Sequence, residues 1–366
     1  MAKHSFTRRQ WLGIAGGAGA ALALGGGRAG ADGCGPRLET RLVTEYGARY
    51  PIVNAGMSFV GLDELAIAVT NAGGIGIYGA APEPPPVVDA RLSAIDAATS
   101  GPFGIDFIIA SSALGDFTTQ DHIDIVAAHA VPVVAFHWAI PSTAWVDQLH
   151  AAGCRVWVQA GDVDFARQAL AAGADGVIAQ GRSAGGHNRN STIPTLVLVE
   201  RIRAEVSREC LLLAAGGIAN GASLVRALDA GADGGWMGTR FVAATESYAH
   251  PEYKARLVAA GLLSTTFTTA FGPEWEGQQQ RVLRDAAVEH PGATTPATIG
   301  TTVLFPGVVN APYTMPNHSA IVPTRDTAGD FTQMDMPAGS ESVLEIGSVR
   351  SAHQIIADVV AEALAS

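Results

Sequence analysis

Between Pro51 and Met237 the chain alternates short, mainly apolar runs with longer amphipathic segments. The apolar runs are Pro51–Ala55, Gly74–Tyr78, Phe103–Ala110, Val131–Phe136, Arg155–Gln159, Asp175–Ala179, Leu211–Ala215 and Asp233–Met237. They lack the apolar–polar alternation of a half-solvated strand, so both faces are expected to be covered, as in a parallel sheet. Leu62–Asn71, Asp121–Ala130, Ser142–Ala152, Val163–Ala172, Thr195–Val206 and Gly221–Ala230 read as helices, and another follows the chain-breaking Pro82-Glu83-Pro84-Pro85-Pro86 cluster. Asp63 and Glu64 suit the positive end of the first helix. Ala152-Gly153, Ala172-Gly173 and Ala230-Gly231 each precede a strand, where Gly supplies the left-handed stop of a helix. Eight such units predict a closed (β/α)8 TIM barrel over residues 36–244 rather than an open sheet.

After Thr239 the rhythm fails. Residues 245–340 are richer in Pro, Gly, Thr and polar side chains, with a helix predicted at Pro251–Ala260. They read as an inserted smaller cap lobe near the C-terminus. Residues 341–366 are expected to return to the barrel, with Ser351–Leu364 as its eighth helix.

The N-terminus has a different character. Thr7-Arg8-Arg9-Gln10-Trp11-Leu12 is followed by a weakly apolar stretch, Gly13–Gly27, and then by Ala29-Gly30-Ala31. Basic, apolar and small residues in that order form the layout of a twin-arginine export signal over residues 1–31. The alternative is a Gly-rich tail with an incidental Arg pair on a cytoplasmic protein. The twin-arginine route carries folded chains, which suits a protein loaded with a cofactor before export.

Composition narrows the function. Of 366 residues, 48% are apolar and 16% charged, enough for a large core, and the net charge of −11 comes without a basic stripe, which argues against nucleic acid. No ungapped apolar run reaches membrane-spanning length, so no stable membrane insertion is expected. Cys34, Cys154 and Cys210 form no C-x-x-C and no zinc spacing, so no metal site is expected; Cys154 and Cys210 read as small buried core residues.

The candidate chemistry lies at the ends of the last three strands. Ala215-Gly216-Gly217-Ile218 ends the seventh and runs into a helix, and Met237-Gly238-Thr239-Arg240 ends the eighth. Loops after strands seven and eight form the usual phosphate site of such barrels, because Gly admits the anion close to backbone N–H groups. Alone, Gly217 or Gly238 could equally serve a tight turn. A single phosphate site without a strand–GxGxxG–helix element points to a mononucleotide. The sixth loop reads Ala179-Gln180-Gly181-Arg182-Ser183-Ala184-Gly185-Gly186-His187-Asn188. His187 stands where barrels carry catalytic groups, on a Gly-Gly support, and His suits proton transfer near neutral pH; the bland alternative is a solvated surface His. His137, ending strand four, is a weaker candidate that equally fits a hydrogen-bonded core residue.

Several blocks in order resemble the nitronate monooxygenases (2-nitropropane dioxygenases) and, more distantly, flavin-dependent enoyl reductases on the same barrel. They are Pro51–Met57, Asn71–Gly76, Pro102–Asp106, Phe136-His137-Trp138, Gly176–Gly181 with Ala184–His187, Ala214–Ala219, Met237–Phe241, and Glu246-Ser247 with His250-Pro251, together covering roughly Arg37 to Glu289. The resemblance implies FMN as cofactor. Asn54, Ala55, Gly56 and Met57 would line the flavin ring, with Asp106, Gln159, Gln180, Gly185, Trp236 and Met237 as further cofactor contacts. Gly217, Gly238 and Thr239 would bind the FMN phosphate, and His187 would be the catalytic base that takes the α-proton of a neutral nitroalkane. This chain departs from the family in having Asn54-Ala55-Gly56-Met57 for Gln-Ala-Pro-Met, and Asp106 for the usual Asn. An ionised Asp106 near the flavin would disfavour an anionic reduced ring. The implied activity is oxidation of nitronates or nitroalkanes by O2 to carbonyl compounds and nitrite. The partners are then a small-molecule nitro substrate and O2, with a homodimer left open. Two rivals share these residues: an NAD(P)H-dependent quinone or enoyl reductase, and a non-catalytic barrel that binds flavin or another phosphate ligand.

Overall fold

The computed structural model describes residues 36–112, 115–189, 191–290 and 296–366; the export-signal reading of residues 1–31 and Cys34 lie outside them. Eight parallel strands carry the fold: β1 (Ile52–Asn54), β2 (Gly76–Gly79), β3 (Phe103–Ile108), β4 (Val133–His137), β5 (Arg155–Ala160), β6 (Gly176–Gln180), β7 (Leu211–Ala215) and β8 (Gly234–Met237). They pair in the order β1-β8-β7-β6-β5-β4-β3-β2, and a parallel bridge from Val53 to Ile75 closes the ring. The fold is a (β/α)8 barrel. Each strand overlaps the segment predicted for it.

Helices α1 (Asp63–Asn71), α2 (Pro85–Ala98), α3 (Gln120–His129), α4 (Thr143–Ala151), α5 (Val163–Ala171), α6 (Thr195–Glu205) and α7 (Gly221–Asp229) follow β1 to β7 in turn. Their starts are set by side chains that satisfy otherwise orphaned amides: Ser142 accepts from Trp145, Asp162 from Phe165 and Asn220 from Ser223. Their stops follow the predicted Ala-Gly pattern, with Gly153, Gly173 and Gly231 at φ of 87°, 100° and 103°.

The strands are buried on both sides because two cores meet on them. In β7, Leu211, Leu213 and Ala215 join Val53, Ile77, Val133, Trp157 and Trp236 inside the barrel. Leu212 and Ala214 point outward against Leu198 and Ile202 of α6. The alternation of Cβ directions along a strand turns one continuous apolar run into both layers. Cys154 and Cys210 are free and buried beside these strands.

After β8, helix α8 (Pro251–Ala259), predicted at Pro251–Ala260, opens the segment read from sequence as a cap lobe. It also contains two small sheets. One pairs β9 (Thr265–Thr268) with β10 (Gln280–Leu283), and β10 with the short strand Gly186–His187 from the sixth barrel loop. The other pairs β11 (Thr298–Leu304) with β12 (Ala311–Pro316) and with Ala328–Gly329. Pro306, Pro312 and Pro316 hid the second sheet; β12 tolerates its prolines because it is an edge strand. Tyr253, Leu257, Ile299, Met315, Met334 and Met336 form a core that this segment shares with Val60, Val242 and Ala243 of the barrel loops. The last helix, α9 (Ala352–Ala365), packs Ile355, Ile356 and Val359 against Leu65 of α1 and Leu224 of α7. It passes so close that a Cβ on Gly221 would lie 2.3 Å from the Ala363 nitrogen. No helix of the described residues is long and apolar enough to cross a membrane.

Candidate active site

At the C-terminal end of the barrel lies a cavity of about 230 Å³. Every strand contributes to its floor: Ala55, Gly56 and Met57 after β1, Gly79 of β2, Asp106 of β3, His137 of β4, Gln159 of β5, Gln180 of β6, Ala215 of β7, and Trp236 of β8. Parallel strands end in register on one side, so these side chains converge without any contact between them in sequence. Tyr253, Glu274, Trp275, Gln280, Asp335 and Pro337 form the roof.

The seventh and eighth loops make a cradle. Gly216 and Gly217 adopt φ of 105° and 77°, a conformation that costs an L side chain about 1–2 kcal/mol. A Cβ on Gly216 would lie 2.6 Å from the Ala184 amide nitrogen, and one on Gly217 2.4 Å from the Glu341 carboxylate. Gly238 leaves open space instead, with Ala55 Cβ at 3.6 Å and Met57 Sδ at 3.8 Å from its notional Cβ. The helical turn Thr239–Val242 starts there, and its first amides have no partner within the turn. The Thr239 hydroxyl accepts from the Gly339 amide at 2.9 Å, and the Glu341 carboxylate accepts from the Ser183 hydroxyl at 3.0 Å. Glu341 is exposed, so its side chain can leave the cradle.

A pair of histidines lines the same cavity. His187 is held by backbone pairing with Gln280 and by the Gln180 amide, which donates to its carbonyl at 3.0 Å. His137 is joined through Nδ1 to the Gln159 amide. Nε2 of each ring is buried without a partner. Burial pulls His137 down to about 4; burial, then the neighbouring His137, pulls His187 down to about 3. Both are therefore neutral at ordinary pH and can accept a proton. Asp106, pressed against Gly56 so closely that a Cβ there would lie 2.2 Å from its carboxylate, is pushed up to about 8 by burial. It is protonated near neutrality, so the expected conflict between a carboxylate and an anionic flavin does not arise at that pH.

Of the residues singled out from sequence, Ala55, Gly56, Met57, Asp106, Gln159, Gln180, Gly185, His187, Trp236, Gly238 and Thr239 come together around the cavity. Three do not line it. The Asn54 amide bridges β1 to β2 by donating to the Ile77 carbonyl at 2.8 Å and accepting from the Ile77 amide at 2.9 Å, so its side chain closes the barrel. Met237 is fully buried in the strand–helix core. Gly217 lies beyond the lining, against Glu341. Gly185 lines the cavity but is needed for packing too: a Cβ there would meet the Ala338 carbonyl carbon at 2.5 Å. The roof residues were missed. Their one sequence signal was Glu274-Trp275, bracketed by Gly272 and Gly277 in a chain with six Trp.

Residues 39–362 match the family model described as nitronate monooxygenase. An octahydroindene-carboxyl-CoA dehydrogenase of Mycobacterium tuberculosis is 34% identical over 253 residues, covering 69% of this chain and 68% of its own. The structure of FabK from Thermotoga maritima superposes with a TM-score of 0.71 at 30% identity, covering 89% of this chain and 96% of that one. Nitroalkane oxidase from Streptomyces ansochromogenes superposes with a TM-score of 0.72 at 26% identity, covering 89% and 98%.

Proposed function

The chain belongs to the nitronate monooxygenase family of oxidoreductases, and from that premise we propose that it binds FMN and uses O2 to convert nitronates and nitroalkanes to carbonyl compounds and nitrite, with His187 as base. The observation that carries this reading is the neutral His187 with its buried, unpartnered Nε2 on a cavity lined at the ends of all eight strands, which Gly216 and Gly238 of the glycine cradle also line. The cradle suits a phosphate: Gly217, Gly238 and Thr239 would hold it, while Ala55, Gly56, Met57, Asp106, Gln159, Gln180 and Trp236 would surround the ring. Bound FMN would supply the electron exchange between substrate and O2.

The protein's own part is proton handling and exclusion of water. His187 resists charging in an empty cavity because burial leaves an imidazolium unsolvated. A nitroalkane losing its α-proton develops negative charge beside the ring, and that charge stabilises the imidazolium as it forms. A substrate that arrives as the nitronate needs no such step. Trp275 packs on the His187 ring at 4.5 Å and keeps bulk water from it.

The test is direct. Purified protein supplemented with FMN should retain a flavin absorbance after gel filtration, and should release nitrite from the anion of 2-nitropropane in air. Colourless protein, or coloured protein that releases no nitrite, would overturn the reading. A nicotinamide-dependent reductase of quinones or enoyl thioesters is a second reading, motivated by the dehydrogenase name of the mycobacterial relative. Anaerobic bleaching of the flavin by NAD(P)H would favour it.

A further inference from the structure

Three aromatic residues from separate parts of the chain gather beside His187: Trp275 of the roof, and Phe117 and Trp138 of the barrel loops after β3 and β4. Trp275 is their centre. Its ring lies 4.5 Å from His187, 4.6 Å from Trp138 and 5.4 Å from Phe117. Phe117 and Trp275 face the cavity, while Trp138 backs them. Trp138 adopts φ of 79°, a conformation a bulky residue takes only when its surroundings impose it. Trp138 is the centre of a tight turn closed by the Ala139 amide donating to the His137 carbonyl at 3.1 Å, and its own carbonyl accepts from the Arg189 guanidinium, which stacks over Phe165 at 4.7 Å. Trp275 is fixed as firmly. The neighbouring Glu274 carboxylate accepts from Tyr313 at 2.7 Å, from Ser319 at 2.6 Å and from the Ala320 amide at 2.8 Å.

The cavity carries little charge. Burial raises Asp106 and Asp335 toward their protonated forms, and among the described residues that line it there is no Lys or Arg. A substrate anion beside His187 finds no Lys or Arg to pair with. A cation finds Glu274 already saturated by three donors. The lining is otherwise apolar and aromatic, and burying such a surface against a flat hydrocarbon group is favourable.

We propose, resting on the reading of this chain as a nitro-compound oxidase, that Phe117 and Trp275, with Trp138 as a positioning residue behind them, form an aryl subsite beside His187, so that the preferred substrate is an uncharged nitroalkane bearing a flat aromatic group. The neutral compound enters, its ring lies on Trp275, and its α-carbon comes within reach of His187, which takes the proton from carbon and leaves the nitronate in place.

The test pairs turnover with binding. For the FMN-loaded enzyme, kcat/KM for 1-nitro-2-phenylethane should exceed that for nitroethane by at least about tenfold, one ring contact's worth of affinity. Trp275→Ala should erase at least about tenfold of that ratio, mainly through KM, and Trp275→Phe should restore part of it. Binding is read from perturbation of the flavin spectrum by nitrobenzene, which has no α-hydrogen, by its anionic isostere benzoate, and by the aryl cation N,N,N-trimethylanilinium. Nitrobenzene should bind at least about tenfold more tightly than either ion. Equal ratios for the two nitroalkanes, or an ion that binds as well as nitrobenzene, would overturn the subsite. Selective nitrobenzene binding without turnover of any nitro compound would sink the oxidase reading and leave the subsite standing. If Trp275→Ala does not fold, Trp275→Phe and the three probes still decide.

Discussion

The floor and roof of the cavity meet at His187 but are held by different forces. The floor is set by backbone register. Asp106 stands level with Gly79 of β2 and with Ala135 of β4, so its direction follows from the pleat. The roof is set by side chains and loop contacts. Glu274 binds three donors, the Gln280 amide donates to Asp335 at 2.8 Å, and Tyr253 donates to the Pro337 carbonyl. The two are sewn together by contacts that include Gly339 to Thr239, Ser340 to Ser183, Glu341 to Ser183, Arg281 to the Arg182 carbonyl, and Gln280 to the strand bearing His187. A floor fixed by register would keep the proposed cofactor contacts while the roof changes, so the proposal assigns binding of the common group to the floor and choice of substrate to the roof.

The largest expected effect lies where the halves meet. His187→Ala should cut nitroalkane turnover by about 10²–10⁴-fold, the usual worth of a positioned base, and nitronate turnover by far less. Parallel nitrite assays on a nitroalkane and its preformed anion measure the split. Equal losses on both would mean that His187 shapes the cavity and removes no proton.

Breaking the seam should separate floor from roof. Gly185→Ala drives a methyl into the backbone at Ala338 and Gly339, with contacts of 2.5 and 2.6 Å, and neither neighbour is a flexible side-chain end. A loss of about 1–3 kcal/mol in stability is expected, as for other overpacked sites, together with weaker retention of FMN. Denaturant midpoints and the flavin content after gel filtration report both. If stability falls and flavin content does not, cofactor binding belongs to the floor alone.

How much of this was legible follows the same division. The barrel, its strand ends and the Gly216-Gly217 and Gly238-Thr239 loops could be read because period, turn residues and strand order are local signals. Asn54 and Met237 came from the family resemblance, and a strand-end motif does not tell which way a side chain points: Asn54 bridges to β2 and Met237 joins the strand–helix core. The roof was illegible for a stronger reason. Trp275 is positioned by Glu274, whose partners Tyr313 and Ser319 lie some forty residues onward, and no local pattern encodes such a pairing. Asp106 could be located by sequence, but its protonation depends on burial that only the closed cavity creates.

That burial gives a stability test of the floor. The folded pKa of Asp106 is raised to about 8 from an ordinary 3.8. Its favourable contribution is fully present below the unfolded value and is lost as pH rises toward the folded one, because the unfolded chain then releases a proton that the fold retains. Asp106→Asn removes this dependence. The gain in stability on substitution should be larger near pH 8 than near pH 5, by at least about 1 kcal/mol. Chemical denaturation at both pH values measures it. An equal effect at the two would mean that Asp106 is solvated in the folded protein.

The smallest effect probes the cradle itself. Glu341 reaches from the roof side to Gly217, and its carboxylate occupies the space where a phosphate held by these loops would approach. Two like-charged groups about 5 Å apart in water repel by roughly 1 kcal/mol. Glu341→Gln keeps the oxygen that accepts from Ser183 and removes the charge. FMN should therefore bind the substituted apoprotein about three- to tenfold more tightly at low salt, and the advantage should shrink as added salt screens the repulsion in the native protein. Quenching of FMN fluorescence on titration with apoprotein gives both numbers. Unchanged affinity at every salt concentration would place the phosphate away from Gly217 and leave Gly238 and Thr239 to hold it.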